Sequence, residues 1–358
     1  MSISQEHILR ALAQVRDPDL HQDIVSLGFV KELKVEEGRV SFTIELTTPA
    51  CPVRDQMKEQ AVQAVRAIPG ITEVAVTMTS QVRATMASAR GSALVPTIKN
   101  VVAVASGKGG VGKSTVSANL ALALGARGAA VGLMDADVYG PSIPGILGVT
   151  SGPEVTAQRR IIPVRQDGLA VMSMAFFMKP EEAVIWRGPM LHKTVEQFLG
   201  TVEWGDLDYL IVDLPPGTGD VQLSLCQLIP LTGAAIVSTP QDVALNVAQK
   251  SIAMFKKLNT PILGIIENMS GYVCPHCGTR DEVFGSGGAR KTAERLGLPF
   301  LGEIPLATVI RQTSDAGTPI VLSQPDSPSA KAFAAAAEAL AAQVSIRAMQ
   351  GEHVRVTF

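Results

Sequence analysis

The chain has 358 residues, 46% of them hydrophobic and 18% charged, enough apolar material for a sizeable core, which excludes general disorder. Its 31 lysines and arginines stand against 33 acidic residues, a net charge of −2, so no global basic field exists to hold nucleic acid. No apolar run approaches the roughly 18 residues of a membrane span and MSISQEHILR has no leader pattern; we expect a cytoplasmic protein of about two domains, with no nucleic-acid or membrane partner.

Residues 1–80 read as a small N-terminal α+β domain. Ser4 is placed to cap a helix with Ile8, Leu9, Leu12 and Val15 on one face. After a turn at Asp17-Pro18-Asp19, residues 29–35 and 39–47 read as strands, with Glu36-Glu37-Gly38 as a hairpin turn between them. A second helix follows Pro52, burying Met57, Ala61, Ala64, Val65 and Ile68 and stopping at Pro69-Gly70. Cys51 precedes it, where a helix dipole would lower a thiol pKa; the competing reading is a small buried residue at a turn. Val74, Val76 and Met78 alternate as a third strand, and residues 81–98, rich in Ser, Ala, Thr and Gly, read as a linker.

From residue 99 to 358 the pattern is α/β. Apolar runs at 101–104, 131–134, 209–212, 234–237 and 262–266 alternate with helical patterns. Strands apolar on both faces predict a mostly parallel sheet covered by helices on both sides, with ligands at the carboxyl ends of its strands. The alanine-rich segment 329–349 reads as a packing helix.

Gly107-Lys108-Gly109-Gly110-Val111-Gly112-Lys113-Ser114-Thr115 follows the first of these strands and opens a helix. The spacing G-x-x-x-x-G-K-[ST] in that context predicts a phosphate-binding loop: backbone N–H groups turn toward phosphate, Lys113 reaches the β/γ-phosphates and Ser114 places its hydroxyl on Mg2+. Lys108 is either a solvated loop lysine or a charge that supports phosphoryl transfer across a dimer. Asp135, Asp137 and Asp213 follow strands beside this loop; Asp137 and Asp213 suit Mg2+ or its waters, whereas Asp220 reads as a turn residue.

The loop resembles the deviant Walker A motif of the MinD/ParA/nitrogenase-iron-protein class. That resemblance implies a P-loop NTPase fold and an ATP-held dimer in which Lys108 reaches the partner's nucleotide. It further implies that Asp137 orients the attacking water, that residues 213–220 form a second switch, that Asn268 reads the adenine edge and that Pro305 and Leu306 pack the base.

Of the four cysteines, Cys226 lies in an apolar helical pattern and reads as core, while Cys274-Pro275-His276-Cys277-Gly278 forms a C-x-x-C knuckle. Tetrahedral metal sites and cubane clusters usually want four ligands, so a two-fold dimer would supply Cys274 and Cys277 twice. Thiolate chemistry alone leaves zinc and iron–sulfur open, and His276 reads as an occupant of the knuckle rather than a ligand.

The phosphate loop, residues 135–142, Trp186-Arg187-Gly188-Pro189, residues 213–220, Glu267-Asn268-Met269-Ser270 and Cys274 to Cys277 together resemble the Mrp/ApbC family of iron–sulfur cluster carrier ATPases, over about residues 96–325. The N-terminal segment is similar to the SufT-type iron–sulfur assembly domain at Asp17-Pro18, residues 24–28 and residues 47–52. These resemblances imply ATP and Mg2+ as ligands and a homodimer carrying a labile [4Fe-4S] cluster between subunits, with apo iron–sulfur proteins and assembly scaffolds as partners. ATP hydrolysis would then be a switch, in which turnover can be slow. Three alternatives stand beside this: a zinc-stabilised nucleotide-switch interaction protein, a MinD/ParA-like positioning ATPase, and an electron-transfer ATPase. Neutral charge and the lack of a cationic amphipathic tail count against positioning; adjacent cysteines count against electron transfer.

Overall fold

The computed structural model describes residues 4–85, 95–178, 188–274 and 276–353. The N-terminal part contains α1 (Gln5–Leu12), β1 (Val30–Glu36), β2 (Arg39–Leu46), α2 (Arg54–Arg66) and β3 (Glu73–Ser80). Ser4 accepts a hydrogen bond from the His7 amide and so caps α1, whose buried face is Ile8 and Leu12. β1 and β2 pair antiparallel around the turn at Glu37 and Gly38, whereas β3 returns parallel to β2 because α2 intervenes. Phe29, Phe42, Ile44, Met57, Ala61 and Val65 fill the core between the sheet and the two helices.

The remainder runs β4 (Ile98–Ser106), α3 (Lys113–Ala126), β5 (Val131–Asp135), α4 (Ile143–Ile146), β6 (Glu154–Val155), β7 (Ile161–Ile162), β8 (Val164–Gln166), β9 (Leu169–Ser173), α5 (Gly188–Thr201), β10 (Leu207–Asp213), α6 (Asp220–Leu228), β11 (Gly233–Ser238), α7 (Asp242–Lys257) and β12 (Ile262–Val273). It closes with β13 (Arg280–Asp281), α8 (Gly288–Leu296), β14 (Phe300–Leu306), α9 (Thr308–Asp315), α10 (Ile320–Ser323) and α11 (Pro328–His353). Among the described residues nine strands form one sheet in the order β13-β12-β11-β4-β10-β5-β9-β8, with β14 also on β12. All its pairings are parallel except β12–β13 and β8–β9.

The double-sided burial expected of such a sheet is visible within β4. Val102 and Val104 join a core with Val116, Leu120 and Leu124 of α3 and Phe333 and Leu340 of α11. Val101 and Ala103 face the opposite core, with Phe198 of α5, Leu225 of α6 and Ile252 and Phe255 of α7. The alanines of α11 matter for the same reason: Ala336, Ala337 and Ala341 are buried, and their small side chains let the helix lie close on the sheet.

The N-terminal part docks at the amino ends of the strands. Thr48 accepts the Tyr209 hydroxyl hydrogen bond at 3.2 Å, the Asn100 side chain donates to the Arg83 carbonyl at 3.0 Å, and Met349 of α11 lies in the N-terminal core. Of the expected linker, residues 86–94 lie outside the described residues; at its described flanks Val82 and Val95 are buried. Among the described residues, no helix is long and apolar enough to cross a membrane.

Candidate functional site

β4 sits centrally, between β10 and β11, so the loop from Gly107 to Gly112 leaves the middle of the sheet at its carboxyl edge. Gly112 caps α3 with φ +77°, and a β-carbon there would stand 2.3 Å from the Asn268 amide nitrogen. Both facts require glycine. That amide of β12 donates to the Val111 carbonyl at 2.8 Å and ties the loop to the neighbouring strand.

Three side chains of α3 converge on one carboxylate. Asp213, buried at the end of β10, pairs with Lys113 Nζ at 2.7 Å through Oδ2. The same oxygen accepts from Ser114 Oγ at 2.6 Å, and Oδ1 accepts from Ser117 Oγ at 2.6 Å. Lys113 and Ser114 are the two groups that sequence assigns to phosphate and Mg2+, and both contact the Asp213 carboxylate. Ser117 was not anticipated, although its place one helical turn after Lys113 puts both on one face.

Asp135 ends β5 in register with Asp213 of β10. Its carboxylate accepts from the Asp137 amide at 3.2 Å, the Ile143 amide at 3.1 Å and Ser173 Oγ at 3.0 Å. Burial foremost, and then the Asp213 charge, push its carboxyl up to about 7. Asp137, also buried, accepts from the Tyr139 and Gly140 amides and so shapes the loop after β5. The buried Asp213 and Asp137 carboxylates and the Ser114 hydroxyl are oxygen donors, the chemistry that suits a hard divalent cation such as Mg2+.

A cleft of about 650 Å3 opens above these groups. Lys108 to Thr115, Asp137, Asn268, Met269, Pro305 and Leu306 line it, whereas Gly107 and Asp213 do not. Ile146, Ile310, Arg311 and Asp315 also line it and were not anticipated; Arg311 and Asp315 form an ion pair of 2.6 Å along one turn of α9. The side chains of Trp186, Arg187 and Pro275 lie outside the described residues, as do those of Gly188, Pro189 and Asp220.

Cys274 and Cys277 stand apart from the cleft, just beyond the strand that carries Asn268. β12 and β13 pair as Tyr272 with Asp281 and Val273 with Arg280, and the thiols occupy the loop that joins them. The Cys274 amide donates to the Thr279 carbonyl at 3.0 Å and the Gly278 amide to the Cys274 carbonyl at 2.9 Å. Cys277 is exposed, and its sulfur shares a 3.3 Å hydrogen bond with Thr279 Oγ1. That bond, with backbone and Cys274 contributions behind it, holds the Cys277 thiol below its ordinary pKa. Thr279 was not anticipated. Neither was Glu267, a buried carboxylate that accepts from the Gly287 and Ala289 amides at 2.7 Å each and anchors α8 beside the hairpin.

The other two cysteines differ. Cys226 is buried on α6 and its thiol is pushed up to about 12 by burial, as its core reading expects. Cys51 corrects the helix-dipole expectation: burial raises its thiol to about 11, and the charges of Asp17, Asp19 and Glu338 add to that. It lies three residues before α2 begins, and burial outweighs what backbone N–H groups contribute.

Comparison with known proteins covers both parts of the chain. The description "NUBPL iron-transfer P-loop NTPase" matches residues 97–341, and "Iron-sulfur cluster assembly protein" matches residues 5–78. The chain is similar to the iron–sulfur cluster carrier protein of Deinococcus radiodurans, 48% identical over 344 residues and 96% of each chain. Among solved structures it resembles a nucleotide-binding protein of Archaeoglobus fulgidus in complex with ADP, with TM-score 0.57 and 40% identity over 63% of this chain and 91% of that one. It also resembles the cell division ATPase MinD of Pyrococcus furiosus, with TM-score 0.52 and 27% identity over 67% of this chain and 97% of that one.

Proposed function

The chain belongs to the family of iron–sulfur cluster carrier P-loop NTPases, and from that premise we propose that it hydrolyses ATP and, as a homodimer, holds a labile [4Fe-4S] cluster between two Cys274–Cys277 hairpins for delivery to apo-proteins. The observation that carries the dimeric reading is the thiol count. Among the described residues no group of three or more metal-ligating side chains exists within one chain. Two hairpins related by a two-fold axis supply the four thiolates that a cubane takes. An exposed loop with two ligands per subunit also suits release to an acceptor, and the lowered Cys277 thiol favours the thiolate that metals require.

The surface supports the same pairing. Tyr139, Phe177, Val243 and Val273 are exposed apolar residues, and each lies at or just beyond the carboxyl end of a sheet strand, on the side of the cleft and the hairpin. Apolar groups gathered on one side of a molecule mark a contact face, and assembly scaffolds or apo-proteins would meet the same side when they receive the cluster.

With ATP bound Lys113 leaves Asp213 for the β/γ-phosphates, and the Ser114 hydroxyl would hold Mg2+. Mg2+ supplies charge neutralisation at the phosphate oxygens. Asp213 would then hold Mg2+ through its waters, and Asp137 would orient the attacking water. That water's oxygen bonds to the γ-phosphorus as the bond to the β–γ bridging oxygen breaks, ADP departs, and the water's proton passes to the released phosphate. Lys108 reaches the partner subunit's nucleotide. Asn268 keeps its amide nitrogen on Val111 and offers its carbonyl oxygen to the adenine amino group, with Pro305 and Leu306 against the base. Slow turnover suits such a switch, and four unpaired thiols suit the reducing cytoplasm.

Iron, zinc and acid-labile sulfide per dimer, measured after anaerobic reconstitution, test the reading. About four iron and four sulfide, absent from Cys274→Ala/Cys277→Ala, are expected. One zinc per dimer without sulfide would replace the carrier reading with a zinc-stabilised nucleotide switch.

A further inference from the structure

The strand that links the cleft to the thiols is not regular. Between Asn268 and Tyr272 the pairing of β12 with β14 slips. Within that slip Met269 has φ +59° and Gly271 φ +61°. Glycine takes this left-handed conformation freely, but a methionine persists there only where its surroundings hold it. Ser270, between them, has a buried hydroxyl with no hydrogen-bond partner among the described residues. Two unfavourable features therefore fall on adjacent residues, where a regular strand would have neither.

Both ends of this kink are attached to functional groups. On one side Asn268 holds the Val111 carbonyl of the phosphate loop, and Met269 lines the cleft with its methyl 3.6 Å from where a β-carbon of Gly112 would stand. On the other side the Gly271 amide donates to the Gly285 carbonyl at 3.3 Å, and the Arg280 guanidinium lies against Gly271. Tyr272 and Val273 then pair with Asp281 and Arg280, and Cys274 follows. From the cleft-lining methionine to the first thiol runs one continuous stretch of backbone.

We propose that residues 269–271 form a two-position joint through which occupancy of the nucleotide cleft shifts the Cys274–Cys277 hairpin, with Met269 as its positioning residue. This rests on the nucleotide- and cluster-binding reading above and specifies how the two sites are coupled. When phosphate draws the loop inward, the Val111 carbonyl moves Asn268 and the Met269 methyl loses its seat against Gly112. The kink then relaxes toward regular strand, the Ser270 hydroxyl finds a partner, and the hairpin beyond Gly271 swings. Stored strain makes the element bistable rather than continuously deformable, the property a switch requires.

The test uses the full-length apo-protein. Alkylation of Cys277 by iodoacetamide is followed by peptide mass spectrometry, with and without saturating Mg2+ and a non-hydrolysable ATP analogue, after nucleotide affinity is measured for each variant by equilibrium dialysis. In the natural chain the nucleotide should change the Cys277 rate by about tenfold, the factor that corresponds to left-handed strain in one non-glycine residue. Met269→Gly, which takes φ +59° without strain, should reduce that factor to under about twofold at saturation, and Met269→Leu should retain it. Ser270→Ala, which removes the hydroxyl that gains a partner, should also lower it. An unchanged Cys277 rate on nucleotide binding, or a full effect persisting in Met269→Gly, overturns the joint while leaving the carrier reading in place. Failure of the natural chain to bind nucleotide removes that reading and the joint together.

Discussion

Replacing Asp135 with asparagine should stabilise the nucleotide-free chain at alkaline pH and weaken it slightly in acid. Burial and the neighbouring Asp213 charge raise the folded-state carboxyl from its ordinary 3.8 to about 7. Because the folded value lies above the unfolded one, the folded chain keeps a proton that the unfolded chain has lost. The associated stability is fully present below pH 3.8 and is lost as pH rises through 7. At 1.36 kcal/mol per decade of proton concentration, the loss is about 2 kcal/mol at pH 5.5 and about 4 kcal/mol at pH 8. Asparagine escapes this loss. Its carbonyl oxygen can replace Oδ2 in accepting from Ile143 and Ser173, but its NH2 cannot replace Oδ1 in accepting from the Asp137 amide, which costs about 1 kcal/mol. The net expectation at pH 8 is a gain of about 3 kcal/mol, and at pH 4 a loss of under about 1 kcal/mol. Urea midpoints of both chains, taken without Mg2+ or nucleotide from pH 4 to 8.5, read the difference directly, and it should change sign on the acid side. A difference that stays flat across that range would mean the folded carboxylate is ionised throughout, and the reasoning from burial would be wrong.

Lys113→Ala should abolish ATP hydrolysis while reconstituted iron stays bound, since the thiols lie outside the cleft. It should also destabilise the apo-chain by about 3 to 5 kcal/mol, because Asp213 is left buried without its cation, and adding Asp213→Asn should restore part of that in urea unfolding. Cys277→Ala should lose iron on reconstitution with a melting temperature within about 2 °C of the natural chain, because the side chain is exposed; collapse of the fold in that variant would point to structural zinc. At pH 7.5 iodoacetamide should modify Cys277 at least about tenfold faster than Cys51, since the thiolate is the nucleophile and the two thiols shift in opposite directions. Equal rates in peptide mass spectrometry would contradict the burial of Cys51.

The sheet was legible because its central strands are apolar on both faces, a pattern that only a doubly covered strand sustains: Val101 to Ala105 of β4 and Ala234 to Val237 of β11 are unbroken apolar runs. The phosphate loop was legible because each position has a local duty, down to Gly112, which must be left-handed and lack a β-carbon. β14 was not, since FLGEIPL neither alternates cleanly nor forms an apolar run. Ser173 and the elevated carboxyl of Asp135 were hidden for another reason. They depend on β5 lying between β9 and β10, and strand order is a long-range fact that no window of sequence contains. Cys51 shows the same limit. Its local setting before α2 predicts a reactive thiol, but Glu338 of α11, nearly 300 residues later in the chain, lines the same cleft and adds its charge to the rise.

Cys51 and the hairpin cysteines lie at opposite ends of the sheet, and that bears on how a cluster could move. Cys51 shares a cleft with Ala126 and Arg127 at the far end of α3, where Arg127 pairs with Glu338. The near end of α3 is Lys113, the last lysine of the phosphate-loop motif. Its 14 residues set the two ends roughly 20 Å apart at 1.5 Å per residue. The hairpin thiols lie at the carboxyl end, beyond Asn268, so direct transfer from Cys51 to Cys274 or Cys277 of the same chain would need the N-terminal part to leave its seat on Tyr209, Asn100 and α11. With that seat intact, Cys51→Ala should leave iron content and nucleotide affinity unchanged, and any effect it has should appear only in transfer from a donor protein. Loss of iron from the reconstituted Cys51→Ala chain itself would show that the N-terminal part undocks and that its thiol reaches the cluster site.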